Sequence, residues 1–314
     1  MTGRRRGEME SGTSGTSESA EQAAKPTVGA LPSKRGLTAG LFIVATPIGN
    51  ASDITLRALD ILRGVDLIAC EDTRVSAKLL TIHGIATRRL AYHDHNADRV
   101  RPLLLARLAA GERVALISDA GTPLISDPGY KLVRDAVAAG IDVHTAPGPS
   151  AALAALVLSG LPSNRFLFAG FLDAKSTARR RDLSGFARLD ATLIFYESAQ
   201  RLAASLADMA EVLGDRPAAV ARELTKLYEE VVRDSLTALA RRYAESGPPK
   251  GEIVIVVGPP LDAAPVAETD LDAMLREVLG RASVRDAAAE IAARLDLPKR
   301  DVYARALLLS REAL

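Results

Sequence analysis

The sequence predicts an α/β fold: a parallel sheet covered by helices on both faces, then a mixed sheet, then a small helical appendix. Three observations carry this. Short uninterrupted apolar runs, such as Leu41-Phe42-Ile43-Val44-Ala45 and Val114-Ala115-Leu116-Ile117, suit strands buried on both faces. Segments with helical spacing of apolar residues alternate with those runs, as in a parallel sheet with crossover helices. A length of 314 residues, 48% of them hydrophobic, supplies cores for about two domains at roughly 150 residues each.

Residues 1–39 are poor in apolar side chains and rich in Gly, Ser, Thr and Glu, so a disordered tail is expected there. The first strand, Leu41 to Ala45, ends in Thr46-Pro47-Ile48-Gly49-Asn50, which Pro and Gly keep out of regular structure. Ser52-Asp53 offers an N-cap for a helix over Ile54 to Leu62. Strand Leu67 to Cys70, helix Arg74 to His83, a short strand Arg88 to Tyr92 and helix Asp98 to Ala110 follow. Then come strand Val114 to Ser118, helix Gly129 to Ala139, strand Asp142 to Thr145 and an Ala-rich helix, Ser150 to Leu158. A boundary is expected near Leu161 to Asn164, separating subdomains 40–161 and 162–260.

The second subdomain reads as strands Phe166 to Ala169, Thr192 to Tyr196, Ala218 to Arg222, Tyr228 to Asp234 and Glu252 to Val257. Helices are expected at Thr177 to Leu189, Gln200 to Leu213 and Leu236 to Tyr243. Leu227 to Arg233 alternates imperfectly, which points to a sheet partly antiparallel and partly exposed. Pro259 to Glu268 reads as a linker. The last segment, 261–314, carries amphipathic helices Ser283 to Leu295 and Lys299 to Ser310 around Asp296-Leu297-Pro298, a helix–turn–helix-like appendix.

Composition excludes several classes. Forty Lys+Arg against 39 Asp+Glu give a formal charge of +1, so a nucleic-acid partner must be held by a local basic patch. The single cysteine, Cys70, excludes an internal disulfide and Cys-rich metal sites; the four histidines lack metal-ligand spacing, and no metal is expected. No apolar run is long enough to cross a bilayer, and Arg4-Arg5-Arg6 precedes a polar stretch instead of a signal segment. A cytoplasmic protein without a membrane partner is expected.

Ligands of open α/β sheets gather beyond the carboxyl ends of the strands. Three loops stand there: Thr46 to Asn50, Ser118 to Gly129, and Ala146-Pro147-Gly148-Pro149-Ser150-Ala151. Glycine lets a backbone approach a ligand closely. None is a Walker A loop or a GxGxxG turn. These residues imply a Gly/Pro-lined pocket for a nucleotide-like ligand held largely by backbone groups, without choosing the ligand.

Ala45 to Asn50, Glu71-Asp72-Thr73-Arg74, Ser118 to Gly129, Pro147 to Ala151 and Lys250-Gly251-Glu252-Ile253-Val254 resemble, in order, the motifs of the tetrapyrrole-methylase superfamily. Over about residues 40 to 260 the likeness is strongest to its branch directed at small-subunit ribosomal RNA. The resemblance implies two α/β subdomains with S-adenosylmethionine in the cleft between them, usually in a homodimer. It implies methyl transfer to the ribose 2′-hydroxyl of a cytidine in the decoding centre of 16S rRNA. The family's first-loop proline falls on Pro47. Its Gly-Gly-Asp-Pro cofactor loop falls on Ala120-Gly121-Thr122-Pro123, after Asp119, with the following Ile at Ile125. Ala and Thr where many tetrapyrrole enzymes have Gly and Asp are typical of the RNA-directed branch. Further implied cofactor contacts are Ser150, Ala151, Glu197 and Leu224.

A ribose hydroxyl is a poor nucleophile, so a base or a cation near the developing alkoxide is expected. Glu71 and Asp72 are the catalytic candidates, or else caps of the helix that follows. Arg74, His93, His95, Asn96, Glu223 and Lys226 are candidate substrate contacts, although His93 to Asn96 also reads as a solvated loop. Cys70 reads as packing, and Asp127-Pro128 as the start of a helix. Arg179, Arg180 and Arg181, with Lys175 and Arg188, form the clearest basic run, either an rRNA phosphate surface or a solvated helix face. With aromatics at 4% and no Trp, a stacking platform for free single strands is not expected. Two other readings stand beside this one: a tetrapyrrole or diphthamide-precursor substrate, and a non-catalytic assembly factor of the small subunit.

Overall fold

A computed structural model describes residues 36–261, 268–295 and 298–312. The first half contributes strands β1 (Gly40–Val44), β2 (Leu67–Cys70), β3 (Arg89–Ala91), β4 (Arg113–Ile117) and β5 (Val143–Ala146). They form one sheet in the order β3-β2-β4-β1-β5, every pair parallel. Side chains alternate across a strand, so each continuous apolar run feeds two cores. Phe42, Val44, Ile68, Cys70, Ala115 and Ile117 pack with Ile61 and Leu62 of α1 (Leu56–Gly64) and Leu80 of α2 (Thr73–Ile82). Leu41, Leu67, Ala69, Val114 and Leu116 pack with Val100, Leu104 and Leu108 of α3 (Ala97–Ala109) and Leu132 of α4 (Tyr130–Ala138). Because the strands are parallel, the loops after the neighbouring β4, β1 and β5 leave the same carboxyl edge.

Strands β6 (Phe166–Phe171), β7 (Thr192–Ser198), β8 (Pro217–Arg222), β9 (Glu230–Ser235) and β10 (Glu252–Val257) form the second sheet, in the order β6-β7-β10-β8-β9. As expected it is mixed: β6 and β7 are parallel and the other pairs antiparallel. Helices α6 (Ser176–Ser184), α7 (Leu202–Leu213) and α8 (Leu236–Ser246) cover the face carrying Leu193, Phe195, Val220, Ile253 and Ile255. The other face, with Ile194, Ala219, Ala221 and Val254, packs on α5 (Ala151–Ser159). So α5, which lies before the expected boundary at 161, already belongs to the second sheet by packing.

Several elements differ from expectation. The first helix begins at Leu56, because Ala51–Asp53 forms a 3-10 turn and Thr55 supplies the cap, accepting from Ala58 N–H at 3.1 Å. The expected tail lies outside the described residues up to residue 35; of residues 36–39, Leu37 is half-buried against the first core and the other three are exposed. Residues 262–267 of the expected linker also lie outside the described residues. The appendix holds three helices, α9 (Glu268–Leu279), α10 (Val284–Leu295) and α11 (Lys299–Glu312), around their own core of Leu275, Ile291, Val302 and Leu309. Among the described residues, no helix is long and apolar enough to cross a membrane.

Candidate active site

The three loops of the first sheet's carboxyl edge bind one another. Thr46 and Gly121 exchange backbone hydrogen bonds of 2.8 and 3.0 Å, and the Thr122 hydroxyl donates to the Pro149 carbonyl at 2.9 Å. Gly121 has φ +77°, and a Cβ there would stand 3.3 Å from Ile48 Cγ2, so the turn needs glycine before any ligand arrives. Across from these loops, the turn after β8 closes the gap between the sheets. Asn50 N–H donates to Thr225 Oγ1 at 3.2 Å, and a Cβ on Gly49 would lie 2.4 Å from Lys226 Cγ.

Between the loops lies a cavity of about 430 Å³, within the size range of small-molecule sites. Ile48, Gly121, Ile125, Leu224 and Val254 give it apolar walls, and Asp127, Ser150, Tyr196, Ser198 and Glu252 supply polar groups. All four non-glycine residues of positive φ among the described residues flank it. Leu124 (73°) and Ser126 (64°) bracket Ile125, and Glu223 (50°) and Thr225 (64°) bracket Leu224. Such backbone costs on the order of 1–3 kcal/mol per residue and collects at functional sites. Ser150 stands at the N-cap of α5 without a side-chain cap bond, which leaves leading N–H groups of that helix to the cavity. Burial raises the pKa of Asp127; a hydrogen bond from Ser118 offsets part of this and the nearby Asp119 adds to it.

A second cavity of about 300 Å³ adjoins the first, and the two share Ile48, Ala120 and Glu252. Pro47, Val75, Leu79, Asp119 and Lys226 line it. Lys226 Nζ donates to Glu223 Oε1 at 2.8 Å and to Glu252 Oε2 at 2.9 Å. Burial works against the ammonium, but the two carboxylates outweigh it and raise its pKa. Burial raises Asp119 as well, partly offset by the Asp72 N–H that donates to it at 3.1 Å.

The expected cofactor residues Ala120, Gly121, Thr122, Ile125, Ser150, Ala151, Glu197 and Leu224 all line the first cavity, whereas Pro47 and Asp119 line the second. Glu197 is buried with its carboxylate already engaged. It accepts from Ser198 N–H and Arg201 Nε at 2.7 Å and from Ser205 Oγ at 2.5 Å, and so holds the start of α7. Neither catalytic candidate lines a cavity. Asp72 caps α2, accepts from Arg74 N–H at 2.7 Å and pairs with the Arg74 guanidinium at 2.8 Å. That hydrogen bonding lowers its pKa to about 2, which leaves it a weak base, and Arg74 is held in the same pair. Glu71 stands nearby with its pKa raised by burial and then by Asp119 and Asp127.

His93, His95 and Asn96 also lie off both cavities; Asn96 ties the turn before α3 by accepting from His93 N–H and donating to Ala91 O, each at 3.0 Å. Glu223 lines neither cavity but accepts from Lys226 Nζ at 2.8 Å and from Glu252 N–H at 3.0 Å, residues that do. Arg179 departs furthest from expectation. It is buried, 2.6 Å from Asp208 of α7, because α6 turns it into the core and leaves Arg181 81% exposed. Arg180 pairs with Asp208 and Glu211. The sequence reading missed Tyr196, Phe171 and Glu252 as lining residues and took Asp127 only as a helix start. Asp127 was the legible one, an acid inside a Gly/Pro loop.

Residues 40–240 match the family described as Tetrapyrrole (Corrin/Porphyrin) Methylases, and residues 265–310 the RsmI C-terminal HTH domain. A ribosomal RNA small subunit methyltransferase I from Mesorhizobium japonicum is 52% identical over 276 residues, 88% of this chain and 94% of that protein. The protein of the same name from Erythrobacter litoralis is 53% identical, over 87% of this chain and 96% of its own. The solved structure of uroporphyrin-III C-methyl transferase from Thermus thermophilus, complexed with S-adenyl homocysteine, shares the fold. Its TM-score is 0.51 at 21% identity, over 70% of this chain and 97% of that one. With the cleft, the two-sheet architecture and near-full-length relatives in agreement, the chain belongs to the tetrapyrrole methylase family, in its ribosomal RNA small subunit methyltransferase I branch.

Proposed function

We propose that the chain methylates the ribose 2′-hydroxyl of a cytidine in the decoding centre of 16S rRNA, from S-adenosylmethionine, as a homodimer acting on small ribosomal subunits in the cytoplasm. The observation that carries this is the convergence of the family's loops on one cavity that adjoins a second. The relatives' printed names support ribosomal RNA as the substrate over a tetrapyrrole. The exposed Leu153 and Val157 of α5 support an interface between copies.

S-adenosylmethionine supplies a methyl group already activated on a sulfonium. Ile48, Ile125, Leu224 and Val254 hold the apolar part of such a molecule, and the open N-terminus of α5 suits its carboxylate. The remaining task is alignment of the attacking oxygen and removal of its proton. Lys226, in the second cavity and fixed by Glu223 and by Glu252, which lines both cavities, stabilises negative charge on that oxygen. Asp119, whose pKa burial raises, takes the proton.

The test is isotope-labelled S-adenosylmethionine with purified small subunits, or with a porphyrin precursor. Label is expected in the 2′-O-methyl of one 16S cytidine. Label in the porphyrin overturns the proposal, and binding of subunits without label supports an assembly factor instead.

A further inference from the structure

We propose that the second cavity, the groove between α2 and the Pro47–Ala51 loop, receives a single nucleotide swung out of the RNA. Its base lies on the apolar side chains of α2 and its ribose at the wall shared with the cofactor cavity. The inference rests on the RNA reading above and assigns the groove within it.

Helix α2 buries Leu80 in the first core, yet it carries a second apolar stripe at Val75, Leu79 and Ile82, spaced by four and three residues. Val75 and Ile82 are exposed, so the stripe faces the groove without a protein partner. Pro47 and Ile48 form the opposite wall. At about 300 Å³ the groove has room for one base and not for a duplex. Ser76 also lines it; its side chain is 3% exposed and interacts with the Cys70 thiol of the first core.

Charge completes the site. Lys78 is exposed on α2 at the groove without an ion pair among the described residues, and suits a backbone phosphate. Lys226 lines the groove and donates to Glu252, a residue of both cavities, toward which a 2′-hydroxyl must point for methyl transfer. Splayed single nucleotides are the usual currency of specific RNA recognition, and this groove needs no aromatic platform to hold one.

Filling the groove tests this on the full chain. Val75→Trp with Ile82→Trp changes exposed positions, so melting and S-adenosylmethionine affinity by calorimetry are expected to stay within twofold of the parent affinity and a few degrees. Labelling of small subunits is expected to fall about a hundredfold, the scale of a misplaced substrate. A 16S decoding-region fragment with a fluorescent cytosine analogue at the target should brighten as the base unstacks on the parent protein. Parent and variant labelling alike, or no brightening with the parent, overturns the groove assignment. A parent protein that labels no RNA overturns the proposed function itself, a distinguishable failure.

Discussion

Asp72 and Asp119 are joined by a 3.1 Å hydrogen bond from the Asp72 backbone, yet their surroundings push their carboxyls in opposite directions. Hydrogen bonds from Arg74 hold Asp72 at about 2, against an ordinary value of 3.8. A carboxyl lowered on folding contributes stability that is present above 3.8 and lost as pH falls toward 2. Asp72→Asn, which still caps α2, should therefore keep turnover and flatten only that acid step, read from melting against pH. Asp119 is raised, so its protonation falls nearer the working range, and activity should be lost as pH drops through its pKa. Asp119→Asn is expected to lower kcat about 10²–10⁴-fold, abolish that acid limb and leave S-adenosylmethionine affinity within a few-fold. An unchanged pH–kcat profile would assign the proton to another group, with the raised Glu71 next in line.

Helix α6 shows where an element can and cannot be read from sequence. Three consecutive arginines on a helix cannot share one face, but which of them turns inward depends on Asp208 of α7, far away in sequence. Burial works to raise Asp208, and hydrogen bonds from Arg180, Ser176 and Arg179 outweigh it and lower its pKa. Arg179→Met takes from Asp208 its buried partner, leaves it Ser176 and the half-exposed Arg180, and should cost up to about 3–5 kcal/mol in denaturant unfolding. Arg181→Glu should leave unfolding unaltered and weaken binding of small subunits, more so at low salt. If both variants unfold alike, the pair is not what anchors α6. The strands were legible because a short uninterrupted apolar run needs no partner to be seen. Helix α9 was equally periodic, with Leu271, Leu275 and Val278 on one stripe, but its start sits beside a Pro- and Ala-rich stretch that reads as linker. The turn before α1 went unread because Asn50 and Thr55, not Ser52, hold the local caps.

At the scale of the whole molecule, the sequence displays three loops but not the order β4-β1-β5 that sets them side by side, since strand order is a non-local outcome of packing. Nor does it show that α5 crosses to the second sheet, carrying Ser150 and Ala151 into the cleft from the opposite half. At the cleft, Gly49 stands directly against Thr225 and Lys226 of the turn after β8. A side chain at Gly49 meets Lys226 Cγ at 2.4 Å, Thr225 Oγ1 at 2.8 Å and the Leu224 carbonyl at 3.0 Å. Lys226 can swing, but the carbonyl is backbone and adjoins Leu224 of the cavity wall. Gly49→Val should therefore wedge the Pro47–Asn50 loop away from the turn after β8, widening both cavities while each sheet keeps its own core. The expected result is S-adenosylmethionine affinity down about tenfold or more, the 1.4 kcal/mol of a lost contact or two, with thermal unfolding shifted by only a few degrees. Gly84→Val is the control: nothing lies within 4 Å of its Cβ and its strained φ of +63° lies away from the cleft, so it should lower stability without touching affinity. Should Gly49→Val bind the cofactor as the parent does, the cleft is set by α5 and the Thr46–Gly121 bridge, and the Gly49 contact is only packing.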